Sequence, residues 1–324
     1  MNDPKPRAPR NRTLSLTAAA QAEYRQRLVR LSAPLPSLDG NRDVTLHQEF
    51  LEAAPYLPVS CVDLLIVDPP YNRRKTFNRQ VFSQRSETAY QAWLNTWMAE
   101  LPRLLKPTAS VYICCDWQSS NAVYQVMTQY FTVRNRITWE REKGRGAQQN
   151  WKNASEDIWF GTVSDEYYFD VEAVKLKRRV MAPYRDRAGQ PKDWQETGEG
   201  RFRVTHPSNV WTDISVPFWS MPENTDHPTQ KPEKLVAKLI LASSREGDVV
   251  LDPFLGSGTT SVVAKKLNRH YIGIEVDEYF CCLAEKRLAL AAQDASIQGY
   301  TGGYFWERNT LAEQKREAER GGEG

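Results

Sequence analysis

The hexapeptide VDPPYN, Val67 to Asn72, brings together a carboxylate, two prolines and an aromatic ring. Asp68 offers two acceptor oxygens. Pro69 and Pro70 have no backbone N–H, so the carbonyls around them can only accept hydrogen bonds. An acid beside such a carbonyl makes a site for a ligand that donates from an amino group, and Tyr71 adds a flat face for a planar ring. A second cluster, LDPFLGSGTT, carries Asp252, Phe254, Gly256, Ser257, Gly258 and Thr259. Its glycines let the backbone approach a ligand closely, and a helix opening after them presents free N–H groups to a carboxylate or phosphate. Glu275, at the end of the next apolar run, HYIGIEV, suits bidentate bonding to ribose hydroxyls. The loop lacks the lysine pattern of a P-loop, which disfavours a nucleoside triphosphate. Strand, glycine loop, helix, strand and terminal acid together predict a nucleoside site.

Chemistry at these positions needs elements that end there. VDLLIV, Val62 to Val67, is short and rich in branched apolar residues, the pattern of a buried strand with Asp68 at its carboxyl edge, where open α/β sheets bind ligands. Upstream, VTLHQEF reads as a strand and LEAAPYL as a helix. Downstream, Tyr90 to Leu105 reads as one helix ending before Pro107, SVYICC as a strand, NAVYQVMTQYF as a helix and NRITWE as a strand. The rhythm breaks between about Arg141 and Pro222, a stretch with several Trp and a basic segment from Lys175 to Arg203. It resumes with a helix in KPEKLVAKLILAS, a strand in DVVLDPF, a helix in TTSVVAKKLN, a strand in HYIGIEV and a helix in EYFCCLAEKRLALAAQ. This alternation predicts an α/β fold with a parallel sheet covered by helices and one irregular insert. Residues 1–40 read as a basic N-terminal extension with a mobile end, and 300–324 as a charged C-terminal tail of frayed helix or disorder.

The bulk composition excludes several classes. The 324 residues are 40% hydrophobic and 26% charged with a formal net charge of +3, an ordinary globular balance that permits a nucleic-acid partner without requiring one. There is no apolar run of about eighteen residues and no signal peptide, so a cytoplasmic protein without membrane contact is expected. Cys61, Cys114, Cys115, Cys281 and Cys282 lack metal-like spacing and read as buried thiols; the four histidines are scattered, and no metal site is expected.

Taken in order, DPPYN at Asp68–Asn72, THPSNVW at Thr205–Trp211, HPTQKPEKL at His227–Leu235 and LDPFLGSGTT at Leu251–Thr260 resemble S-adenosylmethionine-dependent DNA amino-methyltransferases. The resemblance is to the permuted group, in which DPPY precedes the cofactor motif, as in restriction-modification and orphan adenine enzymes, and it covers roughly Val44 to Ala292. It implies a Rossmann-like seven-stranded methyltransferase sheet flanked by helices. Residues 41–140 become the catalytic half, 141–222 a target-recognition insert with its connecting segments, and 223–299 the cofactor-binding half. It further implies cofactor contacts at Asp252, Phe254, Gly256, Ser257, Gly258 and Thr259, with Glu275 on the ribose and Asp68 at the transferred group. His227, Thr229 and Lys231 match the segment bordering the methionine end; a loop-capping role for His227 is the alternative. The family often has Gly-Asp before its first catalytic strand, the acid facing the adenine. Here Gln48-Glu49 stands there, so Glu49 is a candidate by position only.

On this reading Asp68 and the Pro69 carbonyl hold the hydrogens of an exocyclic amine, and Tyr71 stacks on a base flipped out of double-stranded DNA. Asn72, Arg73, Arg74, Lys75 and Arg79 follow the motif directly and suit phosphate contacts. Lys143, Arg145, Lys177, Arg178, Arg179 and Arg185 supply a second basic region, each alone an ordinary solvated residue but jointly favouring DNA. DPPY points to adenine N6, with cytosine N4 as the alternative. Protein glutamine methylation fits less well in motif and order, and an inactive DNA-binding module would need a broken motif. A cognate restriction endonuclease and a homodimer are compatible partners.

Overall fold

The computed structural model describes residues 8–77, 80–141, 149–181, 184–197 and 200–321. Arg79, Lys143 and Arg145, and the extreme N-terminal arm, lie outside them.

Eight strands form the main sheet, in the order Val44–His47, His270–Glu275, Val249–Asp252, Val62–Val67, Leu105–Cys115, Ser155–Thr162, Thr132–Glu140 and Val210–Trp211. The first five are parallel, Ser155–Thr162 is antiparallel to both neighbours, and the two-residue Val210–Trp211 runs parallel to Thr132–Glu140 at the edge. Six of these strands are those expected from the residues; Ser155–Thr162, from the stretch read as irregular, makes up the seven that the resemblance implied, and Val210–Trp211 is a short edge piece. Val62–Val67 shows why the sheet is buried on both sides. Leu65 and Val67 pack into one apolar core with the helix Glu87–Met98, and Leu64 and Ile66 into the other with Glu233–Ser243. The alternation is interrupted by a bulge between Val62 and Leu64, where Asp63 pairs with Lys106 at 2.7 Å and accepts the Val249 N–H at 2.9 Å.

Three expectations change. The single helix over Tyr90–Leu105 is two, Glu87–Met98 and Leu101–Leu104, because Pro102 has no N–H and restarts the helix in its own first turn. The strand that follows begins at Leu105 and carries Pro107 where its residues are exposed. The stretch after Arg141 is not all insert: Ser155–Thr162 lies within the main sheet, so the 141–222 boundary cuts through it. The residues from 300 onward are not a loose tail. Tyr304–Trp306 joins a second sheet, ordered Tyr300–Thr301, Tyr304–Trp306, Leu176–Arg179, Gly200–Thr205 and Gln195–Thr197, with Phe305 and Trp306 fully buried, and Leu311–Gly321 is a helix. The N-terminal segment is also docked, since Leu14 bridges to Thr225 and Val29 to Leu46.

Buried cations join the second sheet to the main domain. Lys234 and Lys238 both pair with Asp213, at 2.7 and 2.8 Å, and Lys234 also donates to the Trp306 carbonyl. Burial lowers the Lys234 pKa to about 8 despite Asp213, while the two lysines overcome burial at Asp213 and hold it near 2.

Candidate active site

The strands Val62–Val67 and Val249–Asp252 are adjacent, with Leu64 opposite Val250 and Leu65 opposite Leu251. From this pair the sheet grows in opposite directions, toward His270–Glu275 on one side and Leu105–Cys115 on the other. A crevice opens at such a switch point, outside the carboxyl ends of the strands. Here it is a cavity of about 280 Å³ that both motifs line, together with residues 227–231 and Glu275.

At one end of the cavity lies an ion cluster. Lys231 Nζ is 2.6 Å from Asp68 Oδ2, 3.0 Å from the Tyr71 hydroxyl and 3.3 Å from Glu156 Oε2. The Tyr71 hydroxyl lies 2.9 Å from Asp68 Oδ1 and 3.1 Å from Glu156 Oε2, and Arg141 pairs with Glu156 Oε1. Two acids and two bases leave the cluster neutral. Burial opposes the Lys231 charge, yet Asp68 and Glu156 raise its pKa above the ordinary lysine value. Burial, Asp68 and Glu156 keep Tyr71 protonated far above neutral pH. The Pro70 carbonyl accepts from the Tyr90 hydroxyl at 3.0 Å, fixing the turn.

The glycine loop forms the other end. Gly256 has φ +55, and a Cβ there would come within 3.1 Å of the His227 ring. Its N–H donates to Glu275 Oε2 at 2.9 Å, while Glu275 Oε1 accepts from Val276 and Asp277 at 2.9 and 2.8 Å. Three backbone donors thus aim the Glu275 carboxylate, whose pKa burial nevertheless raises. Asp252 accepts from Phe254 N–H at 3.0 Å and from the Thr260 hydroxyl at 2.6 Å, and burial lifts it to about 7. His227, lowered to about 3 by burial and then by Lys231, is neutral and packs edge-on against Phe280 at 4.5 Å. Phe254 is held by Trp97 at 5.3 Å.

Of the expected cofactor residues, Glu49, Asp68, His227, Thr229, Lys231, Asp252, Phe254, Gly256, Ser257, Thr259 and Glu275 line the cavity. Gly258 does not. With φ +87 it opens the helix Thr259–Lys266, and a Cβ on it would sit 2.5 Å from that of Ala284, so this glycine serves helix packing. Glu49 also caps its own helix, accepting from Leu51 and Glu52 N–H groups. Lys231 borders the loop through its carbonyl, which accepts from Thr259 Oγ1 at 3.1 Å, but its ammonium belongs to the Asp68 cluster.

The basic candidates divide. Lys75 and Arg73 line the cavity and Arg74 is exposed nearby. Arg73 is anchored on buried Asp116, and Asn72 is tied to Ser119 and to the backbone of Arg85, so both brace the loop. Burial lowers the Lys75 pKa. In the second sheet, Arg178 pairs with Glu307 at 3.3 Å and Arg179 with Glu313, and the Lys177 ammonium sits 4.3 Å from the Trp306 ring centre, while Arg185, outside the sheet, reaches Glu196 at 3.9 Å. None of these four reaches the cavity. Sequence reasoning missed Asp116, Arg141 and Glu156. Asp116 follows the buried strand Leu105–Cys115, the same strand-end signal that marked Asp68; Glu156 lies in a stretch read as irregular and had no such signal.

This fold and cleft define a Rossmann-like enzyme in which a glycine loop at one strand end and an Asp-Pro-Pro-Tyr turn at the next line one cavity. The chain belongs to the family described as DNA methylase, which matches residues 62–286. It is 34% identical over 292 residues to the DNA adenine methyltransferase YhdJ of Escherichia coli (strain K12), covering 86% of this chain and 95% of that one. It is 31% identical over 255 residues to the type II methyltransferase M.HpaI of Haemophilus parainfluenzae, covering 77% and 74%. Among solved structures, the M1.HpyAVI–SAM complex shares the fold at a TM-score of 0.50 and 23% identity, covering 75% of this chain and 98% of that one.

Proposed function

We propose that the protein is a site-specific DNA methyltransferase acting on the N6 amine of adenine, with S-adenosylmethionine as methyl donor. The observation that carries the reading is the single cavity lined by both Asp68-Pro69-Pro70-Tyr71 and the Asp252–Thr260 loop, at the ends of adjacent strands. Family membership and the similarity to a DNA adenine methyltransferase support it.

The cavity suits that cofactor on two counts. The cradle at Gly256 exists only because no Cβ fills it, and Glu275 is aimed by three backbone donors, as a ribose acceptor should be. Phe254, Ser257, Thr229 and His227 would complete its walls, with Glu49 at the rim. When bound, S-adenosylmethionine supplies an electrophilic methyl group. The lone pair of an exocyclic amine is delocalised into its ring. Asp68 and the Pro69 carbonyl accept the amine hydrogens and favour the pyramidal nitrogen, and Tyr71 supports the base. The base must leave the duplex to reach this depth. Arg74, exposed beside the cavity, and Lys75, in its lining, are assigned to phosphates flanking an extruded nucleotide. The five-stranded sheet is assigned as part of the target-recognition region. The protein would work in the cytoplasm, where a cognate endonuclease and a homodimer are compatible with this role.

Incubation with isotope-labelled S-adenosylmethionine and mixed-sequence bacterial DNA, then digestion to nucleosides and mass spectrometry, tests the reading. Labelled N6-methyladenine is the expected product. Label on cytosine N4 would correct the base, and cofactor binding without any labelled nucleoside would overturn the DNA substrate.

A further inference from the structure

Asp68 is already engaged. A Lys231 N–H donates to Oδ2 at 2.6 Å, and the Tyr71 hydroxyl lies against Oδ1 at 2.9 Å. An ammonium on this carboxylate makes the same hydrogen bond that the amino group of a substrate would make. It cannot stay there during reaction. It draws down the acceptor strength of Asp68, and it sets a full positive charge beside a nitrogen that gains positive charge as it is alkylated. The ammonium is only 9% exposed, so leaving it unpaired beside the cavity would be costly, and a second anion within reach would keep it paired.

Glu156 is placed to do so. Its Oε2 is 3.3 Å from Lys231 Nζ, a contact that tightens with a small side-chain movement, and its other oxygen is held by Arg141. The carboxylate is 7% exposed and sits on the strand Ser155–Thr162 of the main sheet, opposite Trp139, so it is a fixed acceptor. Tyr71 lies between the two acids with a single hydroxyl hydrogen, which can serve Asp68 or Glu156 but not both fully. If Lys231 moves to Glu156, that hydrogen is free to settle on Asp68.

We propose that Lys231 is a placeholder for the substrate amine on Asp68 and that Glu156 is the positioning residue that takes the ammonium over when the base arrives. This rests on the amine-methylation reading above. In the resting protein Lys231 keeps the buried Asp68 paired. With a base bound, the Lys231–Glu156 pair leaves Asp68 Oδ2 free to accept an amine hydrogen, while Oδ1 keeps the Tyr71 hydroxyl.

Two measurements test the handover. In the first, Glu156→Gln, Lys231→Met and the double variant are compared for methyl transfer to DNA and for cofactor affinity by calorimetry. Glu156→Gln should lower kcat by about 10²-fold with cofactor affinity kept within about twofold, because Lys231 stays on Asp68. Adding Lys231→Met should restore roughly tenfold of that loss, because the ammonium that occupied Asp68 is gone. A purely structural Glu156 predicts the reverse, a double variant no better than the single one. That result, or a Glu156→Gln enzyme as fast as wild type, would overturn the proposal.

The second measurement needs no turnover. In ¹⁵N-lysine-labelled protein saturated with S-adenosylhomocysteine, millimolar deoxyadenosine should move the Lys231 ammonium resonance in wild type and leave it in place in Glu156→Gln. A resonance that does not respond in wild type overturns the handover. A response in a protein that transfers no label to any DNA would sink the DNA-methylation reading and leave the handover standing.

Discussion

Two neighbouring strands of the sheet end in the same dipeptide, Asp68-Pro69 and Asp252-Pro253, and the two ends have opposite characters. Asp68 meets charges brought from far along the chain, above all Lys231, with Lys75 close enough for its charge to act on Asp68. Among the described residues Asp252 bonds to its own loop and the helix after it, through Phe254 N–H and the Thr260 hydroxyl, and no cation pairs with it, so burial carries it to about 7. Around it stand further acids, Glu275, Asp277 and Glu49. One dipeptide thus yields a cation-paired carboxylate at one edge and a buried, loop-bracing one at the other. The lesson is that an Asp-Pro at a strand end announces a turn with an acceptor, while the partners supplied by distant segments decide what the acid does.

The sharpest way to break this comparison is to remove each acid. Asp68→Ala should cut methyl transfer by at least about 10²-fold while cofactor affinity stays near wild type, read by label incorporation and calorimetry. Retained transfer would move the amine acceptor elsewhere.

The glycines at the second end separate packing from binding. Gly258→Ala, strained at φ +87 and pressed against Ala284, should lose about 1–3 kcal/mol in urea unfolding. Gly256→Ala, which meets only the His227 ring, should instead cost about tenfold in cofactor affinity, about 1.4 kcal/mol, with less effect on folding. Equal behaviour of the two would mean that the loop has no distinct cradle.

Asp252→Asn reads the brace itself. A carboxyl whose folded pKa is raised binds its proton more tightly in the native state, so its contribution is full below the unfolded value and is lost as pH rises toward 7. Relative to wild type, the ligand-free Asn variant should therefore gain stability between about pH 4 and pH 7, on the order of 2–4 kcal/mol at the upper end. Unfolding midpoints at several pH values check this, and a constant difference would refute it. The smallest effect is expected in the flanking charges. Arg74→Ala should reduce the log–log salt dependence of DNA binding by about one and leave cofactor binding alone, while Arg178→Ala, whose partner is Glu307, should change either very little. Filter binding across a salt series distinguishes them.

Much of this was legible in the residues because both motifs are local. Strand, turn and acid are written within ten or so residues, and the apolar runs around them have unambiguous periods. Glu156 was not legible, since its significance depends on where Ser155–Thr162 inserts into the sheet, and SEDIWFGT mixes charge, aromatics and glycine. Lys231 was found by its motif, but the destination of its side chain, 163 positions away in sequence, was not. The basic residues in and near the second sheet looked like a nucleic-acid surface because their acids lie far off or on another strand, Arg179 meeting Glu313 and Arg185 meeting Glu196.

The pairing of Tyr304–Trp306 with Leu176–Arg179 also imposes an order of events on the nascent polypeptide. A ribosome that has released the segment around residue 176 must add well over a hundred further residues before its partner strand emerges. Until then that edge of Leu176–Arg179 has no neighbour, and Lys234 lacks the Trp306 carbonyl to which it donates. The main sheet depends on closures at least as long, Val44 with Ile272 and Leu64 with Val250, so both sheets are completed late, by long-range pairing, the slow kind of folding step. Newly made molecules should therefore hold both sheets open until most of the chain through Trp306 has emerged.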